Sequence, residues 1–155
     1  TLFPYTTLFR SVIDSTGSTS MTRSLNLSYP LGILDVQRTL AVCAEDGVAA
    51  VIIAMNNATL QREALESVNV DVLGSERVAQ GEDVASLKTR YAFVSDRALA
   101  LTVPTGESDE LAAESPAMFD QDRLGHMSLA VAMVLAAGVR RNNVRSALRV
   151  ANNLR

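Results

Sequence analysis

The chain contains few of the residue types that define disulfide, metal or triad chemistry. Its 155 residues include one cysteine, one histidine and no tryptophan. One cysteine cannot form an internal disulfide, which fits a reducing cytoplasm. One histidine cannot supply a histidine cluster for a metal or for a nucleophilic triad. Because aromatic residues make up only 5% of the chain beside many Ala, Val and Leu, the composition favours helices packed on a sheet of β-branched strands.

Strong charge and long apolar runs are also missing. The formal net charge is −3, and the charges are spread along the chain without the basic stripe that phosphate contacts require, so nucleic acid is not expected as the main partner. No uncharged apolar window reaches the length of a membrane span. With 48% hydrophobic and 20% charged residues, the composition is ordinary for a soluble globular protein.

The first eleven residues have an unusual sequence, TLFPYTTLFRS. They resemble the translation of a sequencing-library adapter, so we expect an artefact, with the natural sequence upstream of Val12 missing. The alternative is a genuine segment in which Phe3, Tyr5 and Phe9 share one strand face. The stretch is not a signal peptide, because it has no basic start, continuous apolar core or small-residue cleavage site.

Helical and strand patterns alternate through residues 12–155, which we expect to form one domain. This alternation predicts an α/β fold with a mainly parallel sheet flanked by helices. Gly47 and Gly138 follow two of the helical patterns as natural stops, and Asn143 is a candidate cap for the last helix. The patterns predict helices over 33–46, 59–68, 84–93, 126–137 and 143–154, a short helix near 108–114, and strands over 48–54, 70–73 and 98–103.

Several short motifs follow one another in a familiar order. A turn LSYP (27–30) leads into a helix containing VQRTL (36–40), and the next strand ends in AMNNATL (54–60). Farther on come VDVLG (70–74) and SLKTRYAF (86–93), and two alanine-rich helices follow. This order resembles the central ATPase domain of the Mur ligases, especially the ligase that adds the third residue of the peptidoglycan stem peptide. The family's corresponding first motifs are Leu-Thr-Thr-Pro, Leu-Gln-Arg-Leu-Leu and Met-Glu-Val-Ser-Ser-His-Ala-Leu.

The resemblance implies an enzyme that adds an amino acid to a UDP-sugar peptide precursor of peptidoglycan. Such a ligase phosphorylates a carboxylate and lets an amine displace the phosphate, so ATP and Mg²⁺ are the cofactors that the family implies. Its phosphate-binding loop, Gly-Thr-Asn-Gly-Lys-Thr, does not occur in the sequence and would lie upstream of Val12. The stretch STGSTS (15–20) lacks the lysine and is a poor substitute.

The resemblance also implies four substrate-binding residues, Ser28, Tyr29, Asn56 and Asn57. Ser28 keeps a hydroxyl in the turn that touches the nucleotide-sugar substrate in relatives, and Tyr29 replaces a small threonine. Asn56 and Asn57 keep polar atoms that could hydrogen-bond a ligand. The alternative is a strand-to-helix turn in which Asn57 is the N-cap of the next helix.

The metal-binding and catalytic residues of the family are mostly replaced. Its strand-end glutamate, a magnesium ligand, corresponds to Ala54, whose methyl group cannot coordinate a cation that demands oxygen. Lys88 matches the lysine that is carbamylated in relatives and holds a second Mg²⁺, so it is the catalytic candidate. The alternative is a surface lysine on an amphipathic helix. We expect a solvated loop over 75–83, a helix start without catalytic duty at His126, and no metal site.

Three functions remain open. The first is a fragment of a Mur-ligase-like protein that has lost catalysis and keeps the scaffold for binding or regulation. The second is an active ATP-dependent amide ligase whose phosphate loop and C-terminal domain lie outside this sequence. The third is an unrelated α/β binding module whose likeness to the Mur ligases is accidental.

Overall fold

The computed structural model describes residues 11–14, 17–20, 24–25, 27–76, 83–115 and 121–151. By their internal contacts these residues belong to two compact units. The first unit is Thr1–Val68 with Leu87–Val94, and the second is Asn69–Ser86 with Ser95–Arg155. Along the chain the elements are β1 (Ser11–Asp14), β2 (Gly17–Ser20), β3 (Ser24–Leu25), α1 (Ile33–Glu45), β4 (Val51–Ile53), β5 (Leu73–Gly74), α2 (Val84–Tyr91), β6 (Leu101–Thr102), α3 (Gly106–Ala113), α4 (Gln121–Ala136) and α5 (Arg141–Ala151).

The first unit contains a four-stranded sheet in the order β3-β2-β1-β4. β1 pairs with β4 in parallel, whereas β1 with β2 and β2 with β3 are antiparallel. The sheet is therefore mixed, where the sequence predicts a mainly parallel one. The cause is local, because β1 ends at Asp14 and β2 begins at Gly17. So short a connection can join neighbouring strands only as a hairpin. The last four residues of STGSTS, Gly17–Ser20, therefore form a strand.

The helix predicted over 33–46 is confirmed as α1, which begins after Gly32. Gly47 ends it with φ +67°, a left-handed conformation that glycine adopts without steric cost, and its N–H donates to the Ala44 carbonyl at 3.0 Å. The strand predicted over 48–54 is confirmed in its centre as β4. β4 is half-buried where a fully buried strand was expected, because it lies at one edge of the sheet.

The helix predicted over 59–68 is not formed, and that prediction is wrong. Glu63 and Ser67 have positive φ values of 62° and 61°, which an α-helix excludes. Alternate backbone N–H groups donate to another segment: Glu63 to Arg90, Leu65 to Tyr91 and Ser67 to Ala92, at 2.9, 3.0 and 3.0 Å. Leu65 and Phe93 are 1% exposed, so the apolar residues of 59–68 fill the core as a series of turns. Long-range backbone bonding overrides helical periodicity here.

In the second unit, β5 and β6 form a two-stranded parallel sheet, so the strands predicted over 70–73 and 98–103 are confirmed only as short pieces. β5 lies against α4, and a Cβ added at Gly74 would collide with the Met133 side chain. Gly74 therefore permits a close approach between strand and helix that a side chain would block.

The helices predicted over 84–93 and 126–137 and the short one near 108–114 are confirmed as α2, α4 and α3. The last helix begins at Arg141, so Asn143 is not its cap. The Arg140 carbonyl already accepts the Val144 N–H at 3.2 Å, which places Asn143 inside the first turn. The α/β class is thus present as helices with small sheets. The buried core of the second unit centres on Leu111, Val131 and Val144, with Met127, Val134, Leu135, Val139 and Leu148 packed around it.

Candidate binding site

One backbone pairing in the first unit brings the two predicted site segments together. Leu31 forms an isolated parallel bridge with Leu60. The Leu31 N–H donates to the Thr59 carbonyl at 2.8 Å, and the Gln61 N–H donates to the Leu31 carbonyl at 3.0 Å. Both leucines are buried, with exposures of 0% and 2%. Because the pairing is parallel, the turns that precede each leucine leave the bridge on the same side.

These two turns carry the four residues that the sequence singles out. Ser28 lies three positions before Leu31, and Asn57 lies three positions before Leu60. The bridge therefore joins the chain directly after the turn 27–30 to the chain at the end of the turn 56–59. Nothing in the composition or periodicity of the chain indicates this single bridge.

Asn56 is committed to the backbone of its own turn. Its side-chain oxygen accepts hydrogen bonds from the Ala58 N–H at 2.9 Å, the Thr59 N–H at 3.0 Å and the Thr59 hydroxyl at 3.1 Å. The capping role predicted for Asn57 therefore belongs to Asn56, one residue earlier, and it stabilises a turn with no helix after it. The Asn57 side chain is exposed.

Ser28 and Tyr29 differ in exposure. Ser28 is exposed, whereas Tyr29 is half-buried and its hydroxyl oxygen is buried. The Tyr29–Pro30 peptide bond is cis. The exposed polar side chains of the two turns are therefore Ser28, Asn56 and Asn57, and of these the Asn56 oxygen is already hydrogen-bonded within its own turn.

A further residue at this site, Gln61, was not identified from the sequence. A Cβ added at Gly32 would lie 3.3 Å from the Gln61 side-chain oxygen, so the exposed carboxamide of Gln61 passes over the start of α1. At the start of α1 the Gly32 N–H donates to the Asp35 carboxylate at 3.3 Å. Gln61 could have been suspected only from its position directly after the AMNNATL motif.

Lys88 lies on the exposed surface of α2, in the last turn of that helix. Its carbonyl oxygen accepts the Ala92 N–H at 2.8 Å. Near the start of the same helix, the Ser86 N–H donates to the Asp83 carboxylate at 2.8 Å. This backbone hydrogen bond is the main reason why the pKa of Asp83 lies below its ordinary value. Asp83 is thus a helix-capping residue, and most of the predicted loop before it lies outside the described residues.

His126 and Glu76 are paired on the second unit. The His126 Nε2 lies 2.8 Å from a Glu76 carboxylate oxygen, and both side chains are well exposed. α4 begins at Gln121, so His126 lies more than a turn inside the helix and the predicted helix-start position is wrong.

Within the described ranges, no three His, Cys, Asp or Glu side chains lie together as a metal site would require. Ala54 is half-buried at the end of β4. The described helices include none with the length and apolarity needed to cross a membrane. Comparison with models of protein families, with curated proteins and with solved structures finds no match for this chain.

Proposed function

We propose that this chain is a Mur-ligase-like domain that binds a UDP-sugar peptide precursor of peptidoglycan without acting as a ligase. The proposal is supported by the Leu31–Leu60 bridge, which joins the chain directly after the two turns that the resemblance assigns to the substrate. The Mur-type sheet, parallel and flanked by helices, is part of this proposal.

The chemistry of the two turns suits a ligand rich in hydroxyl and amide groups. The Ser28 hydroxyl and the carboxamides of Asn57 and Gln61 are exposed, and each can both donate and accept a hydrogen bond. The Asn56 side-chain oxygen stabilises the second turn through hydrogen bonds to the Ala58 and Thr59 N–H groups. We therefore assign Ser28, Asn57 and Gln61 to ligand contact and Asn56 to positioning.

We base the proposed absence of ligase activity on two residues, Ala54 and Lys88. Ala54 stands where relatives place a magnesium ligand, and a methyl group offers no lone pair to a cation. Lys88 keeps the position of the carbamylated lysine, but its exposed place on α2 is also that of an ordinary surface lysine. When bound, Mg²⁺ and ATP would supply charge neutralisation and the transferred phosphoryl group.

Isothermal titration of the chain with a UDP-sugar peptide precursor tests the binding. We expect saturable binding that the double variant Ser28→Ala/Asn57→Ala weakens about tenfold or more, because each lost hydrogen bond contributes about 1 kcal/mol. Asn142→Ala, an exposed asparagine on α5, is the matched control and should bind like the unaltered chain. Absence of binding, or equal binding by all three proteins, would contradict the proposal and favour an unrelated α/β module.

Titration with ATP, with and without Mg²⁺, tests the proposed absence of ligase activity. We expect no magnesium-dependent binding. A dissociation constant of about 1–10 μM that requires Mg²⁺ would instead support the active ligase. Ala54→Glu alone should not create such binding, because one carboxylate does not complete an oxygen ligand set.

A further inference from the structure

α3 and α5 carry opposite and unmixed charges. α5 contains three arginines and no acidic residue, whereas α3 and its C-cap contain four acidic residues and no basic one. The two helices are joined by ion pairs, of which the strongest is bidentate: the Arg145 Nε and a terminal nitrogen donate to the two Glu114 carboxylate oxygens at 2.6 and 2.8 Å. Arg141 donates to Glu107 at 3.3 Å and to Glu110 at 3.2 Å.

The spacing of the arginines on α5 makes the stability of this helix depend on the carboxylates of α3. Arg141, Arg145 and Arg149 follow one another at intervals of four residues, so their charges lie on one face of the helix. Like charges at this spacing repel and destabilise a helix. α5 has 11 residues, a length at which an isolated helix is marginal in water. The carboxylates of α3 therefore offset a repulsion within α5.

We propose that α5 is an acid-sensitive element of the second unit. Its helical, docked state requires the charged Glu114 carboxylate at the end of α3, and α5 opens before the remaining helices when this carboxylate is protonated.

The groups around this contact support the direction of the effect. The pKa of Glu114 lies below its ordinary value, first because of the hydrogen bond from Arg145 and then because of the charges of Arg145, Arg149 and Arg141. A carboxylate with a lowered folded-state pKa contributes stability above its unfolded-state pKa, and this contribution is lost as the pH falls through the folded-state value.

The other helix packed against α5 adds no competing charge from its described side chains. α4 contributes Val131 and neighbouring apolar residues to the cluster around Val144, and its His126 is paired with Glu76. On α3, the Asp109 carboxylate accepts a hydrogen bond from Ser128. The response to acid is therefore assigned to Glu114, the carboxylate that accepts two hydrogen bonds from Arg145.

Hydrogen–deuterium exchange of the complete chain, corrected for the intrinsic dependence on pH, tests the proposal over a series from about pH 7 to about pH 3. We expect peptides from α5 to lose protection about tenfold or more at a pH where peptides from α4 change less than about twofold. Simultaneous loss of protection in α3, α4 and α5 would overturn the proposal.

Two further measurements separate charge from packing. Glu114→Gln removes the titrating group, so α5 should already be less protected near neutral pH and respond less to acid, while Asp71→Asn, an exposed acid elsewhere, should behave like the unaltered chain. Raising the salt concentration should also lower the protection of α5 in the unaltered chain. If neither Glu114→Gln nor salt changes α5, apolar packing alone holds it and the proposal is wrong.

Discussion

The two units join their separate segments with different kinds of hydrogen bond. In the first unit the described long-range bonds run mainly from backbone to backbone, as between Leu31 and Gln61 or between Leu65 and Tyr91. In the second unit they run mainly between side chains. Examples are the buried Ser108–Ser128 pair at 2.7 Å and the arginine–glutamate pairs of α3 and α5.

This difference decides which substitutions each unit tolerates. A backbone bond survives replacement of its side chain, so the first unit should be sensitive chiefly to changes in buried apolar volume. A side-chain bond is lost with the side chain, so the second unit should also be sensitive to small polar replacements. Substitutions that separate these two responses therefore test the difference between the units.

Phe93→Ala should have the largest effect. Phe93 is 1% exposed in the first unit, and its removal leaves a cavity among residues held by backbone bonds to the segment 63–68. We expect a loss of about 3–5 kcal/mol in the free energy of unfolding, measured by urea denaturation.

The neighbouring Val94→Ala is the control for this substitution. Val94 is 41% exposed, and its N–H bond to the Val68 carbonyl does not depend on the side chain. We expect a change of about 0.5 kcal/mol or less. A cost for Val94→Ala close to that for Phe93→Ala would mean that local strand geometry, and not buried volume, holds this segment.

The same contrast explains what the sequence could and could not predict. α1, α2 and α4 were predictable because their apolar periodicity and their stops at Gly47 and Gly138 act within one element. The turns of the segment 59–68 were not predictable, because N–H groups in this segment donate to carbonyls about 25 positions away. The local sequence pattern contains no information about such a long-range pairing.

The candidate site was predictable only in part, for a related reason. The resemblance drew attention to Ser28 and Asn57, but the pairing of their two segments depends on the Leu31–Leu60 bridge, which has no sequence pattern. The prediction of Asn143 as a cap is wrong for a different reason. The Arg140 carbonyl already accepts the Val144 N–H, so the helix begins before Asn143. Capping residues can be recognised by type, whereas their position depends on where the helix starts.

Ser128→Ala should have an intermediate effect, now in the second unit. The Ser128 hydroxyl is fully buried, shares a hydrogen bond with Ser108 and donates to the Asp109 carboxylate at 2.6 Å. Since one bond is buried and the other is charge-assisted, we expect a loss of about 1–2 kcal/mol by urea denaturation. Ser146→Ala removes an exposed hydroxyl from α5 and should change stability by about 0.5 kcal/mol or less. Equal effects would show that burial of the hydroxyl is not what matters.

Asn56→Ala should have the smallest effect of the three, and it tests an exception to the rule for the first unit. The Asn56 side-chain oxygen accepts three hydrogen bonds within its own turn, so its loss should cost about 1 kcal/mol, as for a capping residue. Asn57→Ala removes an exposed carboxamide and should leave the unfolding free energy within about 0.5 kcal/mol while still weakening precursor binding. If instead Asn57→Ala destabilises the fold and Asn56→Ala does not, then Asn57 is a structural residue. The Asn57 carboxamide would then be committed to the fold, and the binding proposal would lose one of its three contact residues.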